Sequence, residues 1–430
     1  MGNFITGTVV FETKPTCANR DGDNQQKNTF IFDNLRAILT SANTKVGIRR
    51  EMGIEEIRTK QLQDCIEKIL LHEKELRGYD DKIYEDLGNK LCDVLGCDWS
   101  KKLWQLEAKK NNDNNKSNND EENNGNGNGK EKGVAIIVTN VLEIATVVTA
   151  FFDYIDGLNG KKYDKKACVK KVEEALSGIR LSLNKAFFGN MNAKSVLATT
   201  PGAVHISVAT SLNEYIPTDD FGVGQHILPK EDPDNTVSFY ESFQEFFNQE
   251  RQRDGSDAMF NTCMSTNLFM QDAAVDMDLL SSNLRKNPVG SVCEAADDNY
   301  VLEIEKEYVP KFFEKFAVTR SEAKQNSMMS EVPPVILYVE SILDGRPGFT
   351  PIGETLYAEE GRPITEQAVE KILVFAQDDA FRVGDINRYV VLSGPYKAKY
   401  AEQFEAIGVK VLKNLTELKE KLESEIERVS

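Results

Sequence analysis

The chain has 430 residues, 40% of them hydrophobic and 28% charged, and a formal charge of −17. That length can bury a sizeable core in two or three lobes, and so acidic a balance excludes loose binding of nucleic acid over the whole surface. Seven scattered cysteines (Cys17, Cys65, Cys92, Cys97, Cys168, Cys263 and Cys293) point to a reducing cytosol rather than a disulfide framework or a zinc site.

Residues 3–12 alternate apolar positions rich in β-branched side chains and read as a strand. Met1-Gly2-Asn3-Phe4-Ile5-Thr6 fits a myristoylation pattern, but Gly2 leads straight into that strand, so chance is the preferred reading. No basic segment followed by an apolar one opens the chain, and no cleavable signal is expected. Residues 17–29 are polar and turn-rich. Residues 55–78 switch to helical period through Ile57, Leu62, Ile66, Ile69, Leu70 and Leu76, and a second helical stretch follows over 80–107. Lys109 to Lys132 holds ten Asn between 111 and 129; such a composition cannot offset its ordering entropy and predicts a disordered loop.

Val134 to Phe152 is a nearly continuous apolar run, yet Glu143 at its centre would cost about 2.5–3.5 kcal/mol in a bilayer. A buried helix and no membrane partner are expected. Helical pattern covers 134–155 and 165–188, and a strand is predicted from Ala203 to Ser211. Residues 213–260 are loop-rich and carry eleven Asp/Glu against three Lys/Arg. Strands near 259–270 and 332–342 flank a helix around 304–317, and Asn414 to Val429 is an amphipathic helix laced with Glu–Lys pairs. Strands at both ends around a long helical insertion give an α+β class with an inserted helical lobe.

The chemistry concentrates near the N-terminus. From Lys14 to Arg50 seven Lys/Arg face three Asp, a local excess of cations in an acidic chain that suggests a specific polyanion contact. Arg20, in the turn Asn19-Arg20-Asp21-Gly22, can offer a rigid fork to a phosphate. Lys27, Lys45, Arg49 and Arg50 would add phosphate contacts, and Ser41 and Asn43 can hydrogen-bond sugar or phosphate oxygens. The bland alternative is a solvated basic face with Arg20 paired to Asp21 or Asp23. Catalytic signals are poor. His72, His205 and His226 lie far apart, the pairs Asp219-Asp220 and Asp297-Asp298 read as turns, and Gly222-Val223-Gly224 lacks the strand–turn–helix context of a phosphate loop. The residues predict no enzyme, no cofactor and no metal.

The order of these elements resembles the CasC-type RAMP family, the RNA-binding backbone subunit of type I-E CRISPR Cascade. In that family a strand leads to a Cys-x-Asn-Arg-Asp turn, then a Gln-Lys, a Phe, an Arg and a Ser-rich basic segment that opens a helix. The resemblance carries over Arg20, Lys27, Arg36, Ser41, Asn43 (Gln in the family) and Arg50 as groove residues for the guide RNA. Val46 and Glu51 stand where Lys is usual, with Lys45 and Arg49 beside them. Phe188-Gly189-Asn190-Met191 resembles the family's Ser-Gly-Arg-Met, which makes Met191 the apolar residue against the RNA, with Ala193 and Lys194 next to it. Glu143-Ile144-Ala145, Pro201-Gly202-Ala203 and Ala323-Lys324-Gln325 follow in the same order, the last adding Lys324 and Gln325 to the RNA surface.

The implied fold is an RRM-like (ferredoxin-like) palm over 1–54, 189–206 and 261–430, a helical finger lobe over 55–188 and a thumb over 207–260. The implied function is a non-catalytic scaffold that polymerises along CRISPR guide RNA for antiviral defence. Its partners would be other copies of itself, other Cascade subunits and the target DNA paired to the guide. Two alternatives stand beside it: a RAMP-type metal-dependent ribonuclease using Asp21 or Asp33, and a soluble interaction protein without an RNA role.

Overall fold

The structure, a computed structural model, describes residues 2–21, 25–32, 34–59, 72, 81–96, 137–159, 161–192, 195–224, 258–320 and 332–429. Its first half contains β1 (Gly2–Glu12), β2 (Asn28–Ile31), β3 (Asn34–Leu39), α1 (Ser41–Met52), β4 (Ile57–Thr59), α2 (Asp81–Leu95), β5 (Ile137–Thr139), α3 (Val141–Asp156), α4 (Lys165–Ser177), α5 (Leu183–Phe188), β6 (Val204–Ile206) and β7 (Ala209–Ser211). Then come β8 (Thr218–Gly224), β9 (Ala258–Met264), β10 (Leu268–Asp276), α6 (Met277–Leu284), α7 (Asp298–Val318), β11 (Ile336–Gly345), α8 (Ile364–Gln377), β12 (Asp385–Leu392), α9 (Gly394–Ala406), β13 (Lys410–Leu412) and α10 (Leu415–Val429).

β1 organises the molecule. Ile5, Val9 and Phe11 point to one face and Val10 to the other, where Thr6 and Thr8 are also buried, so both faces of the strand are covered. It pairs antiparallel with β10 on one side, Val9 opposite Gln271, and with β11 on the other, Val9 opposite Leu337. The open mixed sheet runs β13-β12-β11-β1-β10-β7-β3-β2, with β6 also on β10. On the Val9 face α1, α6, α7 and α10 bury Ile48, Leu280, Phe312 and Leu422. On the Val10 face α8 and α9 bury Ile372 and Phe404.

A second core gathers α2, α3 and α4 around Leu91, Val147, Phe151 and Val172, with β5 at its edge. α3 starts where Asn140 accepts the Glu143 N–H at 2.8 Å and stops at Gly157. The described part of the apolar run that mimicked a membrane span is not one helix: Ile137–Thr139, expected as helical, are β5 because they pair with β4, and α3 starts only at Val141. Among the described residues no helix is long and apolar enough to cross a membrane.

Several expected elements take other forms. Residues 57–59, predicted as the start of a helix, are β4, because the β-branched Ile57 and Thr59 pair with β5 far away in sequence. The helical pattern over 165–188 is two helices, broken at Gly178 and restarted at Ser182, which caps α5. The strand expected at 259–270 is the end of β9 and the start of β10, bent at Asn267, whose N–H donates to Thr13 Oγ1. The acidic stretch 213–260 contributes β8 to an antiparallel pair with β9, Thr218 opposite Met264. Its middle, 225–257, and the Asn-rich segment 109–132 lie outside the described residues.

Candidate nucleic-acid interface

The loop that carries Arg20 is fastened to the β3–α1 junction by one side chain. Asn19 adopts φ 57°, a left-handed conformation that Asn tolerates better than most residues. Its Nδ2 donates to the Ile38 carbonyl at 2.9 Å, and its Oδ1 accepts from Thr40 Oγ1 at 3.2 Å. Its own carbonyl accepts the Lys27 N–H at 3.0 Å. Inside the loop, Asp21 donates its N–H to the Gln25 carbonyl and accepts the Gln25 N–H on Oδ1 at 3.0 Å. Asp21 therefore uses its carboxylate to close the loop. Arg20 is left exposed, and among the described residues neither Arg20 nor Lys27 has a carboxylate partner.

Thr40 immediately precedes α1, so this bond ties the loop to the start of that helix. Ser41 and Asn43 lie in its first turn, both partly buried. Lys45 is also partly buried, and burial first and Arg49 second pull its ammonium pKa down. The Arg49 guanidinium lies 4.6 Å from the centre of the Phe188 ring, and Arg50 pairs with Glu55 at 3.4 Å. A Cβ on Gly47 would sit 2.6 Å from Thr319 Cγ2, so this glycine lets the segment after α7 cross the helix closely. The described chain ends there at Arg320. Lys324 and Gln325 fall within 321–331, outside the described residues.

The ring under Arg49 begins the second half of the site. After Phe188, Gly189 turns at φ 69°, and a Cβ there would meet the Gly202 nitrogen at 2.5 Å. Asn190 donates its backbone N–H to the Thr200 carbonyl and its Nδ2 to the Ala198 carbonyl, each at 2.9 Å. Asn192 brackets β5, accepting the Val138 N–H at 3.0 Å and donating back to its carbonyl at 3.2 Å. Between these anchors Met191 is 76% exposed, an apolar side chain held out by a rigid frame. A cleft of about 310 Å³ separates this turn from α1, lined by Val46, Arg49, Glu55, Val138 and Gly189 among others. Ala193 and Lys194 lie outside the described residues.

Arg36 is not part of this strip. It points to the other face of the sheet and is fully buried, Nη1 donating to the carbonyls of Ser211 (2.8 Å) and Leu212 (3.2 Å) and Nη2 to that of Gly353 (3.2 Å). Desolvation lowers its pKa, and no phosphate reaches it in this arrangement. The expected groove residue is a structural cation that ties β3 to the loop before α8. Conversely, Asn19 and Phe188 do positioning work that charge counting misses; the Asn-x-Asp-Gly turn signature was the one hint of the first.

With this geometry in view the comparisons with known proteins are decisive. The model of the CT1975-like protein family matches residues 5–221, half of the chain and every described residue of the strip. The chain belongs to the CT1975-like protein family. This bears out the resemblance drawn from the order of its motifs, that of a divergent CRISPR-associated protein. Two solved structures share the fold of this CT1975-like chain. A chain of a CRISPR RNA-guided surveillance complex, pre-nicking, superposes with a TM-score of 0.66 at 17% identity over 99% of this chain and 100% of its own. A chain of a CRISPR RNA-guided surveillance complex does so with a TM-score of 0.57 at 14% identity over 98% and 99%. No curated protein matches in sequence.

The acidic pairs of the CT1975-like chain are structural where they are described. Asp297 caps α7 by accepting the Tyr300 N–H at 2.8 Å, and Asp298 pairs with Arg285 at 2.7 Å. Among the described residues no group of three or more His, Cys, Asp or Glu side chains gathers to hold a metal. Asp33 and the side chains of Asp219 and Asp220 lie outside the described set.

Proposed function

We propose that this chain is a non-catalytic backbone subunit of a CRISPR surveillance complex, several copies of which line up along a guide RNA. The observation that carries this reading is the placement of Arg20 and Lys27 on the fastened loop, Lys45 and Arg49 on α1 and Met191 on the turn after Phe188, with no carboxylate partner for Arg20 or Lys27 among the described residues of a chain of −17. Cations without acids on a rigid frame suit phosphates, and a framed apolar tip suits the sugar–base side of the same strand.

In this reading β1, β10 and β11 with α1 and α7 are an RRM-like palm, α2–α4 a finger lobe, and the β8–β9 hairpin the base of a thumb. Pairing between guide and target DNA carries the specificity, and the protein reads backbone and shape. Head-to-tail contacts between copies give a filament whose length the RNA sets, alongside other Cascade subunits, in the cytoplasm. Against a ribonuclease built on Asp21 stands the use of that carboxylate to close its own loop.

The test is to titrate the purified chain with short and long single-stranded RNA and to size the products by light scattering. One copy on the short RNA, mass rising in steps on the long one, and intact RNA in magnesium or manganese are expected. Metal-dependent cleavage would move the reading to the ribonuclease, and absence of binding to the interaction protein.

A further inference from the structure

Two large aromatic side chains belong to no core. Phe30 on β2 is 73% exposed and Phe32 in the following turn is 72% exposed. Among the described residues β2 is the edge strand of the sheet, paired on one side only. In its register with β3, Phe30 lies opposite Leu35 and Thr29 opposite Arg36. Leu35 packs on the core beneath α1, whereas Arg36 points to the other face, so Phe30 rises on the same face as α1 and its cations. Phe32 holds φ 53°, a left-handed conformation that a bulky side chain adopts rarely and that concentrates at functional sites. Ile216, 69% exposed, extends this apolar rim, since the neighbouring Tyr215 donates its N–H to the Leu35 carbonyl at 2.8 Å.

The hairpin also starts at Lys27, whose N–H is tied to the Asn19 carbonyl beside Arg20. Exposed aromatic faces are thus joined through a few residues of fixed backbone to two cations that have no carboxylate partner among the described residues. An apolar protein partner would have no use for those cations, and a rigid phosphate site alone would have no use for the rings. Unpaired nucleobases use both, because every base has a π-face and a phosphate one bond chain away. We propose that Phe30 and Phe32 form a stacking platform for unpaired bases of the strand whose phosphates Arg20 and Lys27 hold. This rests on the RNA-binding reading and adds to it a base-contacting surface at the sheet edge.

Binding of a labelled single-stranded RNA is compared with binding of the same backbone carrying abasic sites. The variants are Phe30→Leu with Phe32→Leu, Phe30→Tyr with Phe32→Tyr, and Arg20→Ala with Lys27→Ala, each checked for native circular dichroism. The Leu pair should lose about ten-fold to a hundred-fold on the base-bearing RNA and stay within about two-fold on the abasic one. The Tyr pair should bind both as wild type, because it keeps the rings. The Arg20–Lys27 pair should lose equally on both RNAs, because phosphates are common to them. If wild type binds the base-bearing RNA and the Leu pair matches it, or the Leu pair loses equally on both RNAs, the platform is overturned while the RNA reading stands. If wild type binds neither RNA, both fall. An unaltered RNA affinity with loss of self-association in the Leu pair would assign the rings to a second copy of the chain instead.

Discussion

Lys185 Nζ lies 2.6 Å from Glu143 Oε1 and donates to both carboxylate oxygens, with the two side chains each 1% exposed. Glu143 belongs to α3 in the helical lobe, and Lys185 to α5, whose neighbours Ala186 and Phe187 fill the core under the sheet. Thr139 Oγ1 adds a third donor to the carboxylate at 3.0 Å. Burial pushes the Glu143 carboxyl up against the opposing pull of the ammonium. Removing one partner strands a buried charge at about 3–5 kcal/mol, whereas apolar replacement of both is often close to neutral. Glu143→Gln should therefore cost about 3 kcal/mol in urea unfolding, and adding Lys185→Met should recover most of it. A double variant no more stable than Glu143→Gln would show that the pair does not join the two cores.

A second buried carboxylate sets a pH dependence. Asp272 on β10 accepts Thr8 Oγ1 at 2.6 Å, but desolvation outweighs that bond and pushes its pKa up to about 6. The folded chain thus binds this proton more tightly than the unfolded chain does. The contribution is fully present below the unfolded carboxyl value near 4 and is lost as pH rises through about 6. Asp272→Asn keeps the acceptor and removes the titration. Relative to wild type it should be on the order of 2 kcal/mol more stable at pH 7.5 and similar at pH 4, read from urea midpoints at both values.

Arg36→Met should separate a structural cation from a binding one. The substitution leaves the Ser211, Leu212 and Gly353 carbonyls without their buried donor, at about 1–3 kcal/mol or more. The unfolding midpoint should fall accordingly, and the salt slope of RNA binding by the folded fraction should not change. A slope reduced by a full contact would return Arg36 to the interface.

What the sequence discloses depends on whether a residue's partners are local. β1 is legible because its alternating, β-branched pattern is written in consecutive residues, and α10 because its amphipathic pattern and Glu–Lys pairs lie within one helix. The cap of α10, where Asn414 accepts the Glu417 N–H and Glu417 Oε2 that of Lys413, is equally local. Arg20 and Lys27 are legible as cations because a single turn fixes them. Arg36 is not, since its charge reads the same whether it meets phosphate or the carbonyl of Gly353 across the sheet. β4 and the β2 edge fail for the same reason: three or four residues hold a strand only through partners elsewhere. From 343 onward, α8, β12 and α9 take their places from packing on the Val10 face, and Ser393 with Pro395 at the start of α9 marks a helix without telling which face it covers.

The turn that presents Met191 separates frame from contact. Met191→Ala removes an exposed side chain and should shift stability by no more than about 0.5 kcal/mol while weakening RNA binding. Gly189→Ala forces a methyl into the Gly202 backbone at a left-handed φ and should cost about 3 kcal/mol. If Met191→Ala binds RNA as wild type, the turn is structural only.

The last prediction concerns the loop that Asn19 fastens. Among the described residues Arg20 and Lys27 have no carboxylate to release before they meet a phosphate, so each should act as a full contact. On a single strand each neutralised phosphate contributes about 0.7 to the dependence of log K on log salt. Arg20→Ala with Lys27→Ala should therefore lower the slope by about 1.4, to the same extent on RNAs of unrelated sequence. Asn19→Ala deletes no charge but frees the loop from Ile38 and Thr40. It should weaken binding through the entropy of a loop no longer held, with the slope nearly retained. Measuring affinity from 50 to 300 mM salt for both variants decides the matter: an unchanged slope in the double variant, with native folding, would move the RNA path away from this loop.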